Sequence, residues 1–183
     1  MSNPTQTARR LPRLRPLSQI GATMIEAMMA MAVIALFLAG EYAANARVWS
    51  LVRASLESNA ASRVLNGRAE QLRASTWDQI TSNTFITGSI LSVAPDAGGD
   101  LGGLVETIYI TAYPTPSPEP APVRITRSNT SGAVTVISAG DGTMNAQSSI
   151  RIDLTASWTA KGGAARLRQI SMIVGNGGIT GRH

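Results

Sequence analysis

The stretch "GATMIEAMMAMAVIALFLAG", Gly21 to Gly40, is apolar along its whole length except for one carboxylate, Glu26. Few soluble folds can surround such a run, so it constrains the chain more than any other segment. Ala22 to Gly40 is nineteen residues. As helix, at ~1.5 Å per residue, it would be about 28 Å long, close to the roughly 30 Å of a bilayer's hydrocarbon core. Glu41 and Tyr42 would then fall at the far interface, where polar and aromatic groups belong.

The charge pattern orients the segment. Arg9, Arg10, Arg13 and Arg15 precede it, and no acid occurs before Glu26. Positive charge is held on the cytoplasmic side, so the remainder of the chain is expected to face outward. That remainder carries twelve basic and eleven acidic residues. The net charge of +5 therefore describes a leader rather than a nucleic-acid surface, and no nucleic-acid partner is expected. The chain has no cysteine, which excludes disulfides, thiolate catalysis and cysteine metal sites.

Three kinds of segment share the basic start and apolar run. A cleaved secretory signal would use Ala27 to Gly40 as its apolar region, with small residues such as Ala44 and Ala46 near a cut. Arg9-Arg10 would suit a twin-arginine variant. A plain signal anchor is the second kind. The third is a prepilin-type signal, with a basic leader, a glycine at the cleavage point, an apolar helix, and glutamate as the fifth residue after the cut. An acid near the start of a spanning segment is otherwise disfavoured, since a charge deep in such a helix costs roughly 2.5–3.5 kcal/mol.

With its arginines, Gly21, the run from Ala22, and Glu26 at the fifth position, this segment resembles the N-terminus of type IV pilins and type II secretion pseudopilins. The resemblance covers about a tenth of the chain and implies cleavage after Gly21 by prepilin peptidase and N-methylation of Ala22. Glu26 is expected to serve assembly, its carboxylate pairing with the amine that such a cut would expose on Ala22. The partners the resemblance implies are prepilin peptidase, the inner membrane, and other pilins or pseudopilins met through the N-terminal helix. Ala22 stands where the family commonly has an aromatic residue, the leader is long, and proline is missing near Ala43. These departures point away from a standard major pilin.

The next segment reads as a continuation of the helix. From Glu41 to Asn66 there is neither proline nor glycine, and alanine, leucine and arginine dominate. Trp49, Val52, Leu56, Ala60 and Val64 make one face; Leu65, Ala69 and Leu72 make a second stripe, expected to pack on a sheet. Arg53 with Glu57, and Glu70 with Arg73, are pairs at helical spacing. A helix from Ala22 to about Ser75 is expected, with Gly40 and Gly67 as its soft points.

Beyond Trp77 the pattern is that of strands. "LVETIYITAY" (Leu104 to Tyr113), "PVRITR" (Pro122 to Arg127) and "AVTVIS" (Ala133 to Ser138) are rich in β-branched and aromatic residues. In "SIRIDLTASW" (Ser149 to Trp158), apolar Ile150, Ile152 and Leu154 alternate with polar Arg151, Asp153 and Thr155. A loop with Lys161, Gly162 and Gly163 leads to "RLRQISMIV" (Arg166 to Val174), which completes a hairpin with one buried face. This terminal hairpin, with the helix exit "RAEQLRASTWDQI", resembles the heads of PilV-like minor pilins and I-type pseudopilins. "YPTPSPEPAPV" favours an exposed, extended polyproline II loop, with a recognition motif for proline-binding modules as the lesser reading.

Groups able to carry chemistry are scarce. The only histidine, His183, is the last residue, so nucleophile–base pairs and ordinary zinc sites cannot be assembled. Asp96 and Asp100 lie in a flexible loop that lacks the calcium-loop pattern. "GNGGITG" fails as a dinucleotide loop, and Asn129-Thr130-Ser131 matches a glycosylation triplet that is common by chance. No catalytic residue, metal or cofactor is expected. The expected fold class is α+β, with a long N-terminal helix packed on a small antiparallel sheet. The expected organisation is a leader over residues 1–21, a spanning and polymerising helix over 22–40, an amphipathic continuation over 41–76, and a β-rich head over 77–183. The function expected is that of a minor pilin or pseudopilin, held in the inner membrane with a periplasmic head and then drawn into a fibre. A membrane-anchored periplasmic binding or adhesion module that never polymerises is the alternative.

Overall fold

A computed structural model describes residues 24–177 of the chain. One long helix, α1 (Met24–Arg73), comes first. Two short helices follow, α2 (Trp77–Ile80) and α3 (Asn83–Phe85), then a π turn over Ile86–Ile90 and a 3-10 turn over Gly98–Asp100. The strands are β1 (Gly102–Ala112), β2 (Val123–Ser128), β3 (Val134–Ala139), β4 (Ser149–Thr159) and β5 (Ala165–Gly175). They form one antiparallel sheet in the order β3-β2-β1-β4-β5. The architecture is α+β, as the patterning predicts, and each expected strand lies within two residues of its observed position.

The chain divides into two compact units between Arg47 and Val48. In the first, every described residue of α1 is exposed, including Met24, Met28, Ile34, Leu36 and Phe37. This is the helix that is long and apolar enough to cross a membrane. The second unit holds the core. There α1 contributes Ala60, Ala61, Val64, Leu65, Ala69 and Leu72, a stripe at helical spacing. The sheet contributes alternating residues, among them Leu104, Ile108 and Ile110 from β1 and Ile150, Ile152, Leu154 and Trp158 from β4.

The outer part of the first predicted stripe is not in that core. Trp49, Val52 and Leu56 are exposed, and burial begins at Ala60. Glu57 also departs from its predicted pairing with Arg53. Its carboxylate instead accepts from Trp158 Nε1 at 3.3 Å and from the Lys161 backbone N–H at 3.4 Å, linking the helix to the β4–β5 turn. Glu70 and Arg73 do pair, at 2.6 Å. α1 runs unbroken through Gly40 and Gly67.

Residues 77–90 fold into helical turns where strand patterning was expected to begin. Side-chain hydrogen bonds, one to a distant carbonyl and the others within the turns, accompany this departure. The Thr76 N–H donates to Gln79 Oε1 at 2.9 Å, Phe85 N–H donates to Ser82 Oγ at 3.4 Å, and Trp77 Nε1 donates to the Asn145 carbonyl at 2.9 Å. These turns sink Ile80, Ile86, Ile90 and Leu91 into the core. The proline-rich segment does not run as one extended stretch, because the backbone bends at 113–114 and again at 117–118. Asp141 ties down its end, accepting from the Ala121 N–H at 3.2 Å and from the Thr143 hydroxyl at 2.6 Å. Gly140 before it has φ 70°, and a Cβ there would lie 2.9 Å from Val123 Cγ2, so no other residue fits without strain.

Candidate functional site

Two places among the described residues are candidates for a functional role. The first is the start of α1. Gly21 and Ala22, the residues predicted to be cut and methylated, lie outside the described residues, as do the leader and His183. Glu26 is described and occupies the first turn of α1. An acid there sits at the positive end of the helix dipole, which favours it by roughly 0.3–1 kcal/mol. Around and beyond it the helix offers only apolar side chains up to Gly40, all of them exposed. Such a surface can do one kind of thing, which is to be covered by lipid or by other apolar helices.

The second place was not anticipated from the sequence. Arg68 of α1, Glu106 of β1 and Arg127 of β2 are 4%, 3% and 4% exposed. Glu106 and Arg127 are register partners across the two strands. Arg68 grips the carboxylate with two bonds, Nε to Oε1 at 2.9 Å and Nη2 to Oε2 at 3.1 Å. Its other donors reach Gln71 Oε1 at 3.0 Å, the Ile90 carbonyl at 2.5 Å and the Val93 carbonyl at 2.7 Å. All five guanidinium N–H groups are thereby used. The π turn supplies part of this fit, since closing it through Leu91 N–H to the Ile86 carbonyl leaves the Ile90 carbonyl to face Arg68. Arg127 Nη1 lies 3.6 Å from Glu106 Oε2 and donates to Asn129 Oδ1 at 3.0 Å, while its buried Nε has no hydrogen-bond partner. Asn129 Nδ2 in turn donates to the Gly98 carbonyl at 3.0 Å.

This cluster ties α1, two strands and the 90–98 segment together. Its one acid is engaged by two arginines. Beside it lies a groove of about 420 Å³ lined by Arg63, Gly67, Gln71, Pro95, Asp96 and Asp100, among others. Asp100 meets Arg63 at 3.8 Å, with both side chains exposed. Among the described residues no three His, Cys, Asp or Glu side chains are grouped to hold a metal ion. The exposed carboxyl of Asp141 is held below the usual carboxylate range by its bonds to the Thr143 hydroxyl and backbone and to Ala121. Whatever those bonds contribute is present at neutral pH and is lost only as acid passes through that lowered pKa.

A signal for the cluster exists in the sequence. Glu106 falls on the same alternation as Leu104, Ile108 and Ile110, so the strand pattern already assigns it to the core face. An acid placed there requires a buried cationic partner. No protein-family model matches this chain, no curated protein matches it, and no solved structure matches its fold.

Proposed function

We propose that the chain is a structural subunit of the type IV pilin and pseudopilin class. It is inserted in the inner membrane by its N-terminal helix, cut after Gly21, and then assembled into a fibre through that helix. One observation carries the reading. A single helix begins with Glu26 in its first turn, stays exposed and apolar to Gly40, and ends as the buried spine of an α+β head. A secretory signal or a plain anchor has no need of an acid at the fifth position after a glycine, nor of a helical run into the head. Lipid covers the apolar part before assembly, and neighbouring helices cover it afterwards. The exposed Trp49, Val52 and Leu56 extend the apolar surface past the membrane, where only other subunits can bury them. Prepilin peptidase and sibling pilins or pseudopilins are the partners, and the head faces the periplasm. The role is structural rather than enzymatic.

The test is processing. Glycine leaves a protease subsite unfilled, and a β-branched side chain in its place clashes with a narrow one. Gly21→Val is expected to remain at precursor mass in the membrane, as read by intact-mass measurement of extracted protein. Trimming of that variant to the mass of the processed wild type would overturn the assignment.

A further inference from the structure

Among the described residues of the second unit, the cations fall into two sets. Arg63 meets Asp100, Arg68 and Arg127 meet Glu106, Arg73 meets Glu70, and Arg151 meets Asp153. Arg53, Arg124, Lys161, Arg166 and Arg168 are exposed and meet no carboxylate. Arg124 stands apart, on the face of β2 that points away from the core. The other four gather where the β4–β5 turn lies against α1, and there Arg168 Nη1 donates to Ser58 Oγ at 2.7 Å.

Arg53 from α1, Lys161 from the turn and Arg166 from β5 border one groove of about 260 Å³. The only acid in its wall is Glu57, whose two oxygens already accept from Trp158 Nε1 and the Lys161 N–H. A neighbouring groove of about 280 Å³ shares Arg53, Glu57 and Lys161, and the one further acid in its wall, Asp100, is taken by Arg63. Gly162 and Ala164 also line the first groove, and their N–H groups make no hydrogen bond among the described residues. A cleft lined by one sign of charge focuses its field and draws in counter-ions.

We propose that the groove of Arg53, Lys161 and Arg166 holds a phosphate monoester group in its doubly charged form. Three cations against one acid leave an excess of two positive charges, which matches that group's charge of roughly −2 at neutral pH. Arginine forks bond phosphate oxygens in pairs, lysine adds a compact charge, and free main-chain N–H groups donate to what remains. Chloride would meet only half of the excess and would leave the forks without paired acceptors. A free phosphate and a lipid that ends in a phosphate carry the same chemistry, and the experiment below separates them. The site lies wholly in the second unit, so it depends on neither cleavage nor fibre assembly.

The full chain in uncharged detergent micelles is expected to bind inorganic phosphate with a Kd of about 1 mM or below, read by isothermal titration calorimetry at low ionic strength. Arg53→Gln and Arg166→Gln should each weaken binding about tenfold, the effect of losing a charge-assisted hydrogen bond. Arg124→Gln removes the isolated cation and should leave binding unchanged. Glu57→Gln keeps an oxygen to accept from Trp158 and removes the one opposing charge, so it should tighten binding severalfold. The three arginines are exposed and unpaired, so their replacement does not threaten the core. Short-chain dihexanoyl phosphatidic acid separates the two sources. Affinity equal to that of inorganic phosphate assigns the site to free phosphate, and tighter binding that Arg166→Gln abolishes assigns it to the lipid. No heat of binding from the wild type, equal losses at Arg124→Gln and Arg166→Gln, or weaker binding by Glu57→Gln would each overturn the proposal.

Discussion

Glu106→Ala is expected to destabilise the head by about 3–5 kcal/mol, the usual cost of leaving a buried charge without its partner. The two arginines that hold Glu106 are nine-tenths buried or more, and neither can turn its guanidinium to water without leaving the core. Removing the carboxylate leaves Arg68 Nε and one Nη2 proton without an acceptor and leaves two like charges facing each other. For a domain of this size the loss should lower the melting temperature by roughly 10 °C or more. Near-ultraviolet circular dichroism of the full chain in detergent reads it, since Trp77 and Trp158 report on head packing. Replacing Glu106 and Arg127 together with apolar residues of similar volume and keeping Arg68 bonded to the Ile90 and Val93 carbonyls should cost less than removing Arg68 as well, which would also strand those two acceptors. A loss for Glu106→Ala below about 1 kcal/mol, the scale of an exposed pair, would mean that the cluster is wetter and weaker than its geometry implies.

The second large effect concerns Glu26. Cleavage after Gly21 would leave Ala22 with a cationic amine, about 6 Å of helix rise from the Glu26 turn. A subunit entering a fibre must bury that amine among apolar helices, which is costly unless a carboxylate pairs with it. In the membrane the same carboxylate is a burden. Glu26→Ala is therefore expected to insert at least as well as the wild type and to be cut normally. Its ratio in sheared fibres to that in membranes should fall by roughly tenfold, the equivalent of about 1.4 kcal/mol in assembly. An unchanged ratio would make Glu26 an incidental polar residue near the headgroups and would remove the reason for its position.

Much of the fold is legible in the residues because its signals are local. Alternation in "SIRIDLTASW" places Ile150, Ile152 and Leu154 in the core, and the glycines after Lys161 place the turn. The run without proline or glycine from Glu41 to Asn66 fixes the continuation of α1. Burial along that helix is less legible, because Trp49, Val52 and Leu56 carry the same spacing as Ala60 and Val64 while the sheet reaches only the latter pair. Periodicity shows which face is apolar, not what covers it. The 77–90 turns were hidden because they rest on individual side-chain bonds that leave no periodic trace, such as Ser82 to the Phe85 N–H and Trp77 to the distant Asn145 carbonyl. The Arg68–Glu106–Arg127 cluster joins residues far apart in the chain, and pair spacing along one helix cannot reveal it. Of the site at the start of α1, residue types and spacing are legible, while the proposed cleavage and methylation at Gly21 and Ala22 would depend on an enzyme outside the chain.

That chemistry is the most direct test of the functional proposal. N-terminal mass spectrometry of the wild-type protein extracted from membranes is expected to find a chain beginning at Ala22 and carrying an added methyl group on its amine. A chain that still begins at Met1, or one cut near Ala44 or Ala46 and released from the membrane, would contradict it.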